Sequence, residues 1–434
     1  MRTPLLLVIF ALLANQLHAQ KTYIQCGQLI DVAKEKTFSE RTVVVEGKKV
    51  VEIVKGYVSG GDEDQLIDLK NKVVMPGFID MHVHIEHESN PKTYMNRFTD
   101  NPADEAFEST IYAKRTLLAG FTSVRDLGGS GVNIAMRKAI AKGFIVGPRI
   151  FTAGKSIATT GGHADPTNGV RADLMGDPGP KEGVVNSPAD ARKAVRQRYK
   201  DGSDVIKITA TGGVLSMAKN GQNPQFTIEE LKAIVATAKD YNMLTAAHAH
   251  GDAGARRAVL AGIKTIEHGT LISEETMKLM KEHNTYYVPT ISAGNAAYEN
   301  AKIPGYFPDI IVPKALEIGP KSQSNFAKAY KLGVPIVFGT DAGVSPHGAN
   351  AKEFRFMNEA GMPLMEALHS ATVVPAMLLG RSDDLGQIKE GFLADIIAVD
   401  VHPEEDVRTL EDVSFVMKEG LVYKRDHKEV IVIN

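Results

Sequence analysis

Residues 76–84 read Pro76-Gly77-Phe78-Ile79-Asp80-Met81-His82-Val83-His84. The Pro-Gly pair ends the segment before it, since proline fixes φ and glycine frees it. After the pair comes a short apolar run with imidazoles at i and i+2, which share one side of a strand because side chains alternate. Upstream, residues 22–74 break into β-like pieces at 22–25, 28–32, 41–45, 49–54, 65–69 and 72–74, divided by turn residues such as Gly47 and Gly60-Gly61. Downstream the rhythm changes. Apolar runs at 78–85, 121–127, 149–153, 204–210, 243–249, 265–270, 286–291 and 335–342 alternate with helix-like stretches such as 103–119, 189–201, 227–241, 253–261, 273–283 and 314–332. Eight strand-like runs alternating with helices predict an α/β fold of the (β/α)8 or TIM-barrel type. A doubly wound parallel sheet is the other arrangement that such alternation allows.

The tail returns to β character at 394–399, 413–418 and 421–423. A β-rich start and a β-rich end predict one small β-sandwich built from both termini, which commonly lie close together. The expected division is therefore a sandwich from 20–75 and 385–434 around a barrel at 76–384. Residues 1–19 stand apart: Arg2, an apolar run at 5–13 and Leu17-His18-Ala19 read as a signal peptide cleaved after Ala19. Its nine apolar residues fall short of the ~20 needed to span a bilayer. The expectation is an exported protein, periplasmic or secreted, with no membrane anchor in its mature form.

The 434 residues carry 50 Lys and Arg against 52 Asp and Glu, a formal charge of −2. No long stretch concentrates the basic residues, so a nucleic-acid surface is not expected. A single Cys, Cys26, excludes an internal disulfide, a four-cysteine zinc site and a dithiol pair. Any metal must then be held by carboxylates and some of the thirteen His.

The ionisable residues fall late in the apolar runs: His82 and His84 in the first, Lys207 in the fourth, His248 in the fifth, His268 in the sixth and Asp341 in the eighth. In a barrel those ends converge on the face that carries active sites. His82 and His84 alone could be ordinary polar strand residues, but four further candidates at strand ends argue for a metal site. Lys207 sits in Asp204-Val205-Ile206-Lys207-Ile208-Thr209, where a buried ammonium is costly. Either it pairs with a carboxylate, or its amine is neutral and takes up carbon dioxide as a carbamate that bridges two metals.

With the tail 386–395, Gly386-Gln387-Ile388-Lys389-Glu390-Gly391-Phe392-Leu393-Ala394-Asp395, these residues resemble the amidohydrolase superfamily along essentially the whole mature chain. Within it the chain is similar to the branch of imidazolonepropionase-related enzymes and binuclear Xaa-Pro dipeptidases (prolidases). The resemblance implies one divalent ion on His82, His84 and Asp341 and a second on His248 and His268, bridged by carboxylated Lys207. Zinc is the first expectation, with manganese and cobalt as alternatives. The two ions would bring a bridging water toward a pKa of ~7, and Asp341 would shuttle its proton to the leaving nitrogen.

The implied substrates are small amides, namely dipeptides or N-acyl amino acids; cyclic amides or a non-catalytic binding role are the alternatives. A homo-oligomer is compatible with the resemblance. His163 is expected at the substrate carbonyl or carboxylate as a further catalytic group. His250 stands where some dipeptidases of this group look to have Tyr. Tyr287, Ser345 and His347 are expected around the pocket, whereas Glu86, His87 and Glu88 read as loop residues behind the chelating pair.

Overall fold

The computed structural model describes residues 20–430, so the leader reading at 1–19 lies outside the described residues. Four strands open the chain: β1 Lys21–Asp31, β2 Lys36–Glu46, β3 Lys49–Lys55 and β4 Gln65–Pro76. Seven more form the central part: β5 Phe78–Val83, β6 Phe121–Asp126, β7 Arg149–Thr152, β8 Val205–Thr209, β9 Leu244–Gly251, β10 Thr265–Leu271 and β11 Tyr286–Val288. The tail contributes β12 Ile396–Val399, β13 Phe415–Lys418, β14 Leu421–Arg425 and β15 Lys428–Glu429.

Both ends of the chain do pair, in one eight-stranded sheet of order β15-β14-β13-β12-β4-β1-β2-β3. The seam is β4, parallel to β1 on one side and antiparallel to β12 on the other, with Ile396 opposite Pro76. The expected pair of facing sheets is thus a single sheet. Its outer strand β3 meets the tail again, since Val50 N–H donates to the Phe392 carbonyl at 2.9 Å and Ala394 N–H to that of Lys48 at 2.8 Å. Side chains from the whole width of the sheet, including Ile24, Cys26, Val43, Val50, Ile67, Ile396 and Phe415, then fill one apolar core. Burial pushes the Cys26 thiol up to about 12, as suits an inert core residue.

The central strands are all parallel and form two sheets, β5-β6-β7 and β11-β10-β9-β8. Every residue of β5, β6 and β8 is buried, as in sheets covered on both faces. Helices intervene with their starts marked in the sequence. Thr227 and Glu230 form a capping box on Ile228–Asp240, and Ser187 and Ser273 cap Pro188–Asp201 and Glu274–Glu282.

One expected strand is missing from the ladders. Residues 335–342 make only scattered backbone bonds, two to Tyr287 of β11, one to Thr290 just after it, and one each to Met81 and His82 of β5 and to His84 just beyond. Pro335 has no N–H to give, and Asp341 turns left-handed at φ +57°, so the run cannot continue as regular β structure. The two sheets are joined at their other edge by Ile157, which exchanges backbone bonds with Lys207 and Thr209. A continuous eight-stranded ladder is therefore replaced by two sheets with irregular joins. Among the described residues no helix is long and apolar enough to cross a membrane.

Candidate metal centre and its cavity

The strand alternation of β5 brings His82 and His84 to the same side, and Asp341 reaches them from the irregular run beside it. Oδ1 of Asp341 lies 3.4 Å from His82 Nε2 and 3.3 Å from His84 Nε2. It is buried and accepts no hydrogen bond in ideal geometry. The opposite nitrogens of both rings are engaged: His82 Nδ1 with Glu267 Oε2 at 2.9 Å and His84 Nδ1 with the Gly128 carbonyl at 2.7 Å. Those acceptors take the ring N–H, which leaves the Nε2 lone pairs aimed at a carboxylate. Lone pairs and an anion face each other in this way when a cation belongs between them.

His268 joins the group. Donor atoms of His82, His268 and Asp341 all lie within 4.8 Å of one another, and His268 Nδ1 is 2.8 Å from Thr290 Oγ1. Three residues here hold left-handed backbone without being glycine: His268 at φ +72°, Thr290 at +48° and Asp341 at +57°. For a β-branched Thr this is a genuine outlier, and such strain collects at functional sites. Close approach also demands glycine at two places. A Cβ on Gly339 would stand 2.4 Å from Val288 and 3.1 Å from His82, and one on Gly213 would stand 2.2 Å from the His163 ring.

Lys207 Nζ is 3.3 Å from His82 Nε2, and among the described residues it forms no ion pair. The simple pairing of Lys207 with a carboxylate is therefore not what the structure contains. Burial brings its pKa down to about 8, so the neutral amine is far more accessible near neutral pH than on an exposed lysine. Burial likewise pushes His82, His248 and His268 far below the usual histidine range, with neighbouring positive groups adding to it. At His84 burial acts in the same direction but the Asp341 carboxylate outweighs it, so its pKa rises.

These groups open into a cavity of about 260 Å³ that His84, His163, Lys207, His248, His250, His268 and Asp341 line. His248 stands edge-on to His268, 4.6 Å between ring centres, and 4.3 Å from His163. Its Nε2 faces the Gly212 carbonyl at 3.0 Å, so Nδ1 is the atom left for a metal. Nδ1 of His163 is buried and has no hydrogen-bond partner among the described residues, and His250 lies stacked on His268 with Nδ1 on Thr270. The other wall is apolar, made of Ala293, Ala297, Ala315 and Ile318.

Three expected pocket residues are elsewhere. Tyr287 is wholly buried behind the cavity, its hydroxyl donating to the His268 carbonyl at 2.8 Å. His347 stacks on Tyr112 and its Nε2 meets the His87 carbonyl at 3.0 Å, while Ser345 is buried and outside the cavity wall. Tyr287 is expected from its place on the seventh strand and Ser345 and His347 from theirs after the eighth, and the local chain turns each side chain into the protein instead. His87, expected behind the pair, instead lines the cavity. Glu86 accepts from the backbone N–H groups of Ser130, Gly131 and Asn133 and so holds the loop whose Gly128 carbonyl orients His84.

Two residues with a role here, Glu267 and Arg125, are not among those expected from the sequence. Arg125 donates to both Glu267 oxygens at 2.9 and 3.1 Å and to Thr265 at 3.0 Å, all fully buried. Their signal in the sequence is a pair of ionisable residues of opposite sign inside buried parallel strands.

The chain is similar along most of its length to known proteins. Over 93% of this chain and all of the other, the fold is similar to a Xaa-Pro dipeptidase crystallised with methionine in its active site, at 51% identity and a TM-score of 0.89. A prolidase complexed with N-methylphosphonate-L-proline is similar at 34% identity and a TM-score of 0.85, covering 94% of this chain and all of that one. Ochratoxinase of Aspergillus niger is 32% identical over 438 residues, 95% of this chain and 88% of that protein. Residues 73–423 match the model of the amidohydrolase family, and with the likeness to ochratoxinase over 95% of the chain this shows that the chain belongs to the amidohydrolase family.

Proposed function

We propose that this protein is a metal-dependent hydrolase of peptide or N-acyl amino-acid amide bonds, a prolidase-like dipeptidase or carboxypeptidase. The observation that carries the reading is the buried Asp341 oxygen facing two imidazole nitrogens at 3.3–3.4 Å in a cavity with one apolar wall. The likeness to a Xaa-Pro dipeptidase at 51% identity supports it, as does the name of ochratoxinase among the relatives. We further propose a (β/α)8 barrel at 76–384, a small composite domain from 20–75 and 385–434, and export after removal of 1–19. Backbone bonds at both joins between the central sheets support the barrel.

His82, His84 and Asp341 would hold one divalent ion, and His248 and His268 a second, with a carbamate on Lys207 between them; zinc is the ion we propose. When bound, such a pair polarises a carbonyl and acidifies water. The chain's own groups do the rest. Asp341 accepts the proton of the attacking water and returns it to the amide nitrogen as the C–N bond breaks and a C–O bond takes its place. His163 is kept neutral, burial bringing it down to about 3, and among the described residues its Nδ1 has no hydrogen-bond partner. It is therefore ready to hydrogen-bond the substrate's carbonyl or carboxylate. The wall of Ala293, Ala297, Ala315 and Ile318 excludes water and accepts an apolar side chain.

Metal analysis of purified protein, with a screen of dipeptides, N-acyl amino acids and an imidazolone, tests this reading. Two metals per chain, a lower content in Lys207→Ala and turnover of linear amides are expected. One metal per chain, unchanged in Lys207→Ala, would overturn the binuclear site, and turnover of the imidazolone alone would overturn the substrate class.

A further inference from the structure

We infer that a second chamber, adjoining the metal-centre cavity, binds the acyl side of the substrate and is built for acyl groups that carry a further carbonyl or carboxylate. The inference rests on the proposed amide-hydrolase activity and extends it to a substrate class.

The chamber encloses about 370 Å³ and shares His87, His163, Leu215 and Val344 with the metal-centre cavity. Its outer wall is the helix Thr93–Thr99, none of whose residues is buried. Polar contacts tie that helix to the loops that bear the shared residues. Tyr94 donates its hydroxyl to the Leu215 carbonyl at 2.6 Å, and Arg97 donates to the carbonyls of Asn168 at 3.1 Å and Pro166 at 3.0 Å. These bonds hold the guanidinium at the chamber wall, although Arg97 itself is exposed to solvent.

The charges give the chamber a direction. Its one carboxylate, Asp165, is already engaged on both oxygens, by Gly161 N–H at 2.8 Å, Thr167 N–H at 2.9 Å and the Thr167 hydroxyl at 2.6 Å. Arg97 uses one N–H of each terminal nitrogen on those carbonyls, and among the described residues its other N–H groups have no partner. The capacity still available is that of a donor. A free amino terminus brings donors and meets no free carboxylate there, whereas an acylated chain brings acceptors. Across the shared wall, the apolar residues of the inner cavity suit the side chain of the departing amino acid. An amide lying at Asp341 then has its amine half against Ala293, Ala297 and Ile318 and its acyl half directed toward Arg97. Met217 and Phe307 supply apolar surface for the body of that acyl group. The class indicated is N-acyl amino acids and N-blocked peptides, with water attacking the acyl carbon and the amino acid leaving.

Four compounds with the same leaving group test this: alanylphenylalanine and N-acetyl-, N-pentanoyl- and N-succinylphenylalanine, each with the metal-loaded enzyme. For wild type, kcat/KM for the succinyl compound is expected to exceed the acetyl one about tenfold and the pentanoyl one severalfold. In Arg97→Met the succinyl-to-pentanoyl ratio should fall to about one, with Arg97→Lys between. In Met217→Trp, which fills the chamber, the pentanoyl-to-acetyl ratio should fall. Thermal unfolding of each variant shows that it is folded, and if Arg97→Met is not, Met217→Trp carries the test. Equal kcat/KM for acetyl and succinyl compounds, or ratios unmoved in both variants, would overturn the chamber while leaving the amidase activity intact. Failure to cleave any of the four would overturn the activity on which the inference rests.

Discussion

Nδ1 of His82 on β5 lies 2.9 Å from Oε2 of Glu267 on β10, and neither side chain reaches solvent. A carboxylate behind a ligating imidazole fixes its tautomer and raises its basicity. Glu267→Gln is expected to weaken divalent-metal binding by about 10- to 100-fold, read by competition with a chromophoric chelator. Arg125→Met removes the partner that balances Glu267 and leaves a buried charge, at a cost of about 3–5 kcal/mol in urea unfolding. Full metal affinity in Glu267→Gln would show that the contact is incidental.

A second buried carboxyl offers a pH test. Glu353 accepts from Ile291 N–H at 2.7 Å, Ser292 N–H at 2.8 Å and the Ser292 hydroxyl at 2.6 Å, at the start of the helix Ile291–Ala301 beside Thr290. Burial pushes its pKa up from 4.5 to about 8, and those three donors offset only part of the rise. A carboxyl whose folded pKa is raised contributes stability that is complete below the unfolded value and is lost as pH climbs through the folded one. Wild type should thus lose Tm between about pH 5 and 9, and Glu353→Gln should lose less. Parallel Tm profiles for the two would mean that Glu353 does not titrate in this window.

Arg149 joins the two parts of the molecule. It meets Asp395 at 2.8 Å and Glu419 at 2.7 Å, bringing the start of β7 onto the tail. With Asp395 almost wholly buried, Arg149→Met should destabilise by about 2–4 kcal/mol. A variant within about 0.5 kcal/mol of wild type, the scale of ordinary surface substitutions, would count against this.

Metal should also act on stability. Adding zinc at about 1,000 times its Kd to stripped protein should stabilise it by about 4 kcal/mol per independent site, with chelator reversing the gain. His82→Ala should respond weakly, and an equal gain in that variant would place the ion elsewhere.

The parts that the sequence announced are those governed by local period. His82 and His84 share a side because strands alternate, and Lys207 stands out because a lysine amid β-branched neighbours is costly. The pairing of the two termini is legible in the composition at each end. The parts that the sequence concealed depend on groups far apart along the chain. Arg125 and Glu267 are 142 residues apart and balance each other only once β6 and β10 are folded. The loss of the eighth ladder strand comes from a left-handed φ at Asp341, which a run of apolar letters does not reveal. Tyr287 is read on the seventh strand and His347 just after the eighth, yet a hydroxyl on the His268 carbonyl and a ring on Tyr112 draw them away from the cavity.

The seam at β4 has a consequence for how the molecule is made. Its neighbour β1 emerges from the ribosome early, but its other neighbour, Ile396–Val399, arrives more than 300 residues later. Until then the growing chain carries a strand with an open hydrogen-bonding edge and an apolar face awaiting its cover, the kind of surface on which nascent chains stick to one another. Shortening the protein at its far end would leave its beginning unfinished, so the tail acts as the closing stitch of the first strands.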